Sequence, residues 1–312
     1  MKKISLAYFG SPDFSARFLE KLATDTAMYR YIEVKLVVTQ PDKKVGRKQI
    51  LTPTPVKQIV KQYSESEDTK FSCACLPAGR VCCFPSKNFS IELTNLDLAL
   101  VYAYGDLIPK KILNLPKYGF WNIHPSLLPK YRGTSPIATP LINGDKTTGV
   151  TIIKMDEEID HGPIIAQENL TIEDTDYRPD LERKLTDLGF EMFKQLILTN
   201  LNELQLTAQA DEFATYTKKL SKQDGFIEFE KIKSLFLPTT NYQLLTTSYN
   251  LFRGLYPWPG LWTLIKINGV EKRLKITGMS LSTNHQPLVT KVQLEGKNEV
   301  DFETFNQAYK IV

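Results

Sequence analysis

The sequence predicts an α/β protein: a doubly wound, mostly parallel sheet followed by a small antiparallel β-barrel. Three observations carry this. Ile4 to Phe9, Val34 to Thr39 and Leu96 to Tyr104 are short, nearly unbroken apolar runs, the pattern of parallel strands covered on both faces. Apolar residues between such runs recur at helical spacing, as in Phe14, Phe18, Leu19 and Leu22. After a polar stretch, Gln205 to Asp224, the pattern changes to strand-like runs joined by turns such as Asn268-Gly269, a strong hairpin signal.

The elements follow in order. Ile4 to Phe9 is a buried strand. Gly10-Ser11-Pro12-Asp13 is a turn in which Ser11 can cap a helix and Pro12 suits its first position. Val34 to Thr39 is the second strand, followed by a basic loop with Pro41, Pro53 and Pro55, the last opening a helix. Val81 to Phe84 reads as a short strand, Leu96 to Tyr104 as a central one, then Phe120 to His124 and Gly149 to Met155. Asp180 to Leu198 is helical, with Leu181, Leu185, Leu188, Phe193, Leu196 and Ile197 on its apolar stripe. Gly10 stands alone after its strand, without the G-x-G-x-x-G turn, so a bound dinucleotide is not expected. In the C-terminal part Trp262 to Ile267, Arg273 to Ile276 and Val289 to Leu294 are strands, with turns at Asn268-Gly269 and Glu295-Gly296. The expected division is 1–204, a linker at 205–225, and a barrel at 226–312.

Composition narrows the class. The 312 residues suit two domains of about 150 each. Hydrophobic residues at 42% and charged residues at 24% exclude disordered, collagen-like and coiled-coil chains. No run approaches the roughly 18 apolar residues of a membrane span, and the start lacks a signal-peptide pattern. Cytoplasmic residence without a membrane partner is expected. Cys73, Cys75, Cys82 and Cys83 are too clustered to staple a chain of this size and would be reduced in a cytosol. Their C-x-C-x6-C-C spacing is not a zinc pattern, and a strand over 81–84 would send Cys82 and Cys83 to opposite sides, so no metal is expected. The net charge of +4 says little about a partner, but its distribution says more. Residues 41–61 hold Lys43, Lys44, Arg47, Lys48, Lys57 and Lys61 against Asp42 alone, which suits an arm that binds phosphates.

The chain has three histidines, His124, His161 and His285. His124 ends a predicted strand, where open α/β sheets place ligands. Asn122, two residues earlier, shares its face. An amide donor beside an imidazole can bind an oxyanion, and the imidazole can move protons near neutral pH. Met155 to Gly162, with Asp156, Glu157, Glu158, Asp160 and His161, follows the next predicted strand and is expected at the same end of the sheet. A carboxylate there can charge the histidine and accept a proton from an amine.

Asn122 to Gly133 (NIHPSLLPKYRG), Pro136 and residues 148–162 (TGVTIIKMDEEIDHG) together resemble the signature of the folate-dependent formyltransferases. Its branches act on glycinamide ribonucleotide, nucleotide-sugar amines and aminoacyl-tRNA. Thr39-Gln40-Pro41-Asp42, Gly46-Arg47 and Pro53 to Lys57 resemble the basic loop of the branch acting on methionyl-tRNA. So do the opening Tyr8 to Phe14, the linker residues Tyr216, Lys219 to Lys222 and Asp224-Gly225, and Arg253 with Pro257 to Gly260.

The resemblance implies a Rossmann-like formyltransferase domain and an OB-like barrel. It implies transfer of a formyl group from 10-formyltetrahydrofolate to the methionine α-amine of charged initiator methionyl-tRNA. Asn122 would stabilise the oxyanion, His124 would add charge and pass a proton, and Asp160 would hold His124 and take the amine's proton. Ser126, Leu127, Leu128 and Pro129 would hold the folate. Arg47, with Lys43, Lys44 and Lys48, would read the tRNA acceptor end; Lys266, Lys272, Arg273 and Lys275 would form a basic barrel face. A monomer without a metal is expected. His161 departs from the family pattern, where a small polar residue is usual. Two other readings stand beside this one, a sugar-nucleotide N-formyltransferase with the same donor and a non-catalytic RNA-binding relative. The basic loop argues against the first, and the Asn122, His124, Asp160 set against the second.

Overall fold

The computed structural model describes residues 3–46, 48–64, 93–236, 242–282 and 286–311. Arg47, His285, the four cysteines and the strand expected at Val81 to Phe84 lie outside them. In chain order the elements are β1 (Ile4–Gly10), α1 (Asp13–Thr24), α2 (Met28–Tyr31), β2 (Ile32–Val38), β3 (Lys43–Val45), β4 (Ile50–Thr52), α3 (Pro55–Ser64), β5 (Leu98–Tyr102) and β6 (Phe120–His124). They continue with β7 (Arg132–Gly133), α4 (Ala138–Asn143), β8 (Thr147–Lys154), β9 (Ile164–Thr171), α5 (Arg178–Ile197), β10 (Tyr216–Thr217), α6 (Phe229–Ile232) and α7 (Tyr242–Leu255). The last are β11 (Leu261–Ile267), β12 (Val270–Leu281), β13 (Pro287–Leu294), β14 (Glu299–Asp301) and α8 (Phe302–Tyr309).

The chain divides into two compact units that interleave in sequence. The first is Met1–Arg132, Gly149–Leu170 and Arg183–Tyr216; the second is Gly133–Thr148, Thr171–Glu182 and Thr217–Val312. Residues 133–148 and 171–182 thus cluster with the C-terminal part rather than with the N-terminal one.

The six-stranded sheet has the order β2-β1-β5-β6-β8-β9. β1 pairs in parallel with β2 and β5, and β5 with β6. The unbroken apolar runs are explained by burial on both faces. Ala7, Phe9, Ala99 and Val101 join one core with Leu36, Val38 and Phe120. From the other face Tyr8 stacks on Phe18, and Phe18 meets Tyr102, Phe190 and Phe193. Fully burying a side chain such as Phe18 contributes about 2–3 kcal/mol. α1 begins one residue later than expected. Pro12 is its N-cap, and Ser11 makes no cap; its hydroxyl donates to the Tyr104 carbonyl at 2.9 Å and ties the β1 turn to the chain after β5.

β8 runs antiparallel to β6, with Trp121 opposite Lys154 and His124 opposite Thr151. Its end therefore lies at the start of β6. The expectation that the following loop emerges at the His124 end is corrected, because an antiparallel neighbour reverses direction.

In the second unit β11-β12-β13-β14 form an antiparallel sheet, consistent with a small barrel. Asn268 and Gly269 join β11 to β12 with φ of 50° and 79°, the two left-handed positions of a type I′ hairpin turn. Leu261, Ile265, Leu274, Ile276, Val292 and Leu294 face a core completed by Leu245, Tyr249 and Phe252 of α7 and Phe305 of α8. Arg253 is buried in this unit, its Nη1 donating to the carbonyls of Glu173, Asp174 and Asp176.

Candidate active site

β6 spans the five residues expected and carries Asn122 and His124 on one face. His124 is 3% exposed. Asn122 Nδ2 donates to Asp160 Oδ1 at 3.1 Å, and His124 Nδ1 lies 3.5 Å from the same oxygen. His124 Nε2 lies 3.0 Å from the Tyr131 carbonyl oxygen. An oxygen thus faces each ring nitrogen, and an imidazolium can donate to both. The structure brings Asn122, His124 and Asp160 together in the first unit.

Asp160 reaches them from an eight-residue loop, 155–162, that doubles back along β6. The loop is closed at its neck by the Lys154 N–H donating to the Pro163 carbonyl at 3.0 Å. Gly162 makes this closure possible, since a Cβ there would stand 1.9 Å from the Lys154 carbonyl oxygen. Asp160 itself has φ of 53°, and Tyr131 has 67°. Left-handed backbone at a residue other than glycine costs about 1–3 kcal/mol and is retained where the surroundings impose it.

The turn after His124 is pinned from β8 and β9. Thr151 Oγ1 donates to the Ser126 carbonyl at 2.6 Å and accepts the Leu128 N–H at 3.1 Å. Gln167 Nε2 donates to the Leu128 carbonyl and to Thr151 Oγ1, each at 2.8 Å. Ser126 and Leu128 are buried, and the Ser126 hydroxyl turns inward to the Lys130 carbonyl at 2.6 Å. Leu127 and Pro129 are half-buried and leave apolar edges on the turn.

Around the loop lies a polar network that sequence reasoning did not assign. His161 Nδ1 meets Asp156 Oδ2 at 2.6 Å and its Nε2 lies 3.4 Å from Asp211 Oδ2. The hydrogen bond to Asp156, with the nearby Asp156, Asp211 and Glu158 charges, holds the His161 imidazole above its ordinary pKa of 6.5. The Arg132 guanidinium, 2.6 Å from Asp211 Oδ1, holds the Asp211 carboxyl below the usual range. His161 therefore pairs with Asp156 and Asp211. Arg132 stands within the motif NIHPSLLPKYRG, but nothing in its spacing marked it. Gln209 lies in a stretch that reads only as polar.

The basic segment is a hairpin rather than a loop: Lys43, Lys44 and Val45 pair antiparallel with Thr52, Leu51 and Ile50. Its strands are too short for periodicity to reveal. Lys43, Lys44 and Lys48 are exposed, and so are Val45, Ile50 and Leu51. Lys43 is bonded to Gln40 Oε1, and Lys57 pairs with Asp42 at 2.7 Å. On the C-terminal sheet Lys275 and Arg273 stand opposite Trp262 and Leu264, whereas Lys272 falls on the other face, in register with Ile265. The four expected basic residues do not share one face.

Residues 2–197 match the formyl transferase family model. The chain is 34% identical to the methionyl-tRNA formyltransferase of Caldicellulosiruptor saccharolyticus, covering 99% of this chain and 98% of that protein. It is 34% identical to the methionyl-tRNA formyltransferase of Bartonella henselae over 90% of this chain and 82% of the relative. Among solved structures, the N-formyltransferase of Helicobacter canadensis, in complex with folinic acid and dTDP-3-aminofucose, is similar with a TM-score of 0.56. It shares 19% identity over 89% of this chain and 88% of that one, a likeness of fold. On the family match and these near-full-length relatives, the chain belongs to the formyl transferase family, in its methionyl-tRNA formyltransferase branch.

Proposed function

We propose that this protein transfers a formyl group from 10-formyltetrahydrofolate to the α-amine of methionine on initiator tRNA. The observation that carries the reading is the convergence of Asn122, His124 and Asp160 on one carboxylate oxygen. The donor supplies an activated formyl carbon and a nitrogen that departs. Leu127 and Pro129, on the turn after His124, offer apolar edges suited to a flat ring system, and the turn's own polar groups are satisfied internally. Ser126 then acts by shaping the turn rather than through its hydroxyl.

The Asn122 amide carries two N–H groups; one is directed at Asp160, and the second is assigned to the formyl oxygen as negative charge builds there. Asp160, with its side chain 12% exposed against 4% for His124, is the more accessible base and takes the proton that the attacking amine loses. His124, held between Tyr131 and Asp160, contributes positive charge. The departing folate nitrogen takes a proton from the His124 imidazolium, and Asp160, holding the proton that the amine lost, returns one to His124 across the Nδ1 contact.

We assign catalysis to residues 1–204, a connecting role to 205–225, whose first part, to Tyr216, clusters with the first unit, and tRNA support to the barrel at 226–312. Arg47 and the exposed Lys43, Lys44 and Lys48 are assigned to the acceptor stem, where guanidinium and ammonium groups meet phosphates. Action as a monomer in the cytoplasm completes the reading. The test is formyl transfer to methionine-charged initiator tRNA, with charged elongator tRNA and an amino-sugar nucleotide as alternative acceptors. Formylation of the initiator alone is expected. Turnover of the amino sugar in preference to tRNA would replace the acceptor while keeping the three residues.

A further inference from the structure

The loop that carries Asp160 is held by a hydrogen bond from a stretch 49 residues away in sequence. Gln209 is half-buried between exposed neighbours. Its Nε2 donates to the carbonyls of Asp160 and Gly162, each at 2.8 Å. Its Oε1 accepts from Arg132 Nε at 3.1 Å and from Nη2 at 2.8 Å. Arg132 is 2% exposed, and its Nη2 also donates to Asp211 Oδ1 at 2.6 Å.

The chemistry of these groups sets the direction of the amide. A guanidinium has donors only, so the Gln209 oxygen must face it. That leaves both amide hydrogens for the two loop carbonyls. Those carbonyls bracket His161, at the point where Asp160 adopts its left-handed backbone.

We infer that Arg132 and Gln209 are positioning residues for Asp160: Arg132 orients the Gln209 amide, and Gln209 clamps the loop so that the carboxylate stays against Asn122 and His124. The inference rests on the proposed catalytic role of Asp160. Neither residue touches the reacting atoms. Misplacing a catalytic group by about 1 Å can cost about 100-fold in rate.

The test is Gln209→Met, which keeps the side chain's length and removes the amide. A fall in kcat of about 10- to 100-fold is expected, with KM for the folate donor and for charged tRNA unchanged. In an Asp160→Asn background the same change is expected to cost less than about twofold, because the group being positioned is already gone. Hydrogen exchange at residues 155–162 is expected to quicken in Gln209→Met while exchange in β5 and β6 stays the same. Wild-type kcat, a loss confined to KM, or an undiminished loss in the Asp160→Asn background would each overturn the inference. If the wild-type chain formylates no acceptor, the reading of function fails separately; exchange at 155–162 then decides this inference, and equal exchange in both proteins sinks it. Should Gln209→Met not fold, Gln209→Glu keeps the Arg132 pairing and sets a carboxylate against the two carbonyls, with the same loss confined to kcat expected.

Discussion

The 155–162 loop and the 43–52 hairpin are both polar excursions from the same unit, yet they are built in opposite ways. The loop is closed at its neck by Lys154 and Pro163, gripped by Gln209, and bonded to Asn122 through Asp160. The hairpin is held by three residue pairs and carries Val45, Ile50 and Leu51 into solvent. The contrast follows from the tasks proposed for them. A group that accepts a proton must sit within fractions of an ångström of its target. A cationic arm that meets a polyanion needs charge and reach, and tolerates variable geometry.

The sharpest way to break this comparison is in the loop's target. Asn122→Ala and His124→Ala should each lower kcat by about 100- to 1000-fold while circular dichroism and thermal unfolding show a folded chain. Near wild-type turnover in either variant would dissolve the assigned chemistry.

Gly162→Ala tests the neck of the loop. The added carbon would meet the Lys154 carbonyl oxygen, so the neck must open at a cost of about 1–3 kcal/mol. A lower urea midpoint together with a lower kcat is expected. A stable variant with full kcat would show that the loop does not depend on its closure.

The hairpin should respond differently. Lys44→Ala with Lys48→Ala should raise KM for charged tRNA several-fold and leave kcat and folate KM alone. The slope of log(kcat/KM) against log salt should flatten by about 1 for each phosphate that the arm no longer neutralises. Arg47→Ala should act in the same direction. A fall in kcat would erase the distinction between the two regions.

The smallest expected effect is a pH dependence at His161. Its folded-state pKa is raised by Asp156. It therefore adds stability that is fully present below its ordinary value of 6.5 and is lost as pH rises through the folded value. The stability gap between wild type and His161→Ala should narrow as pH rises above 6.5. A constant gap across that range, measured by urea unfolding, would remove His161 from the loop's support.

Much of this molecule was legible in the sequence where the signal is local. β6 spans the expected residues, Pro55 opens α3, and Asn268-Gly269 makes its hairpin. These depend on side-chain alternation, on the fixed φ of proline and on tolerance of left-handed backbone, all readable over a few residues. Ser11 fits a helix cap equally well, but a carbonyl 93 residues away claimed its hydroxyl. The route of Asp160 was hidden because strand direction between neighbours leaves no mark in either strand alone.

By itself the sequence determined the layered α/β plan, the pairing of Asn122 with His124 and the basic character of residues 41–61, because periodicity, turn chemistry and charge are properties of neighbouring residues. Only the tertiary structure decided that Asp160 meets Asn122 across 38 residues and that Arg132 meets Gln209 across 77. Such bonds form where packing brings distant polar groups into a shared, water-poor space, and there each buried donor and acceptor must find a partner.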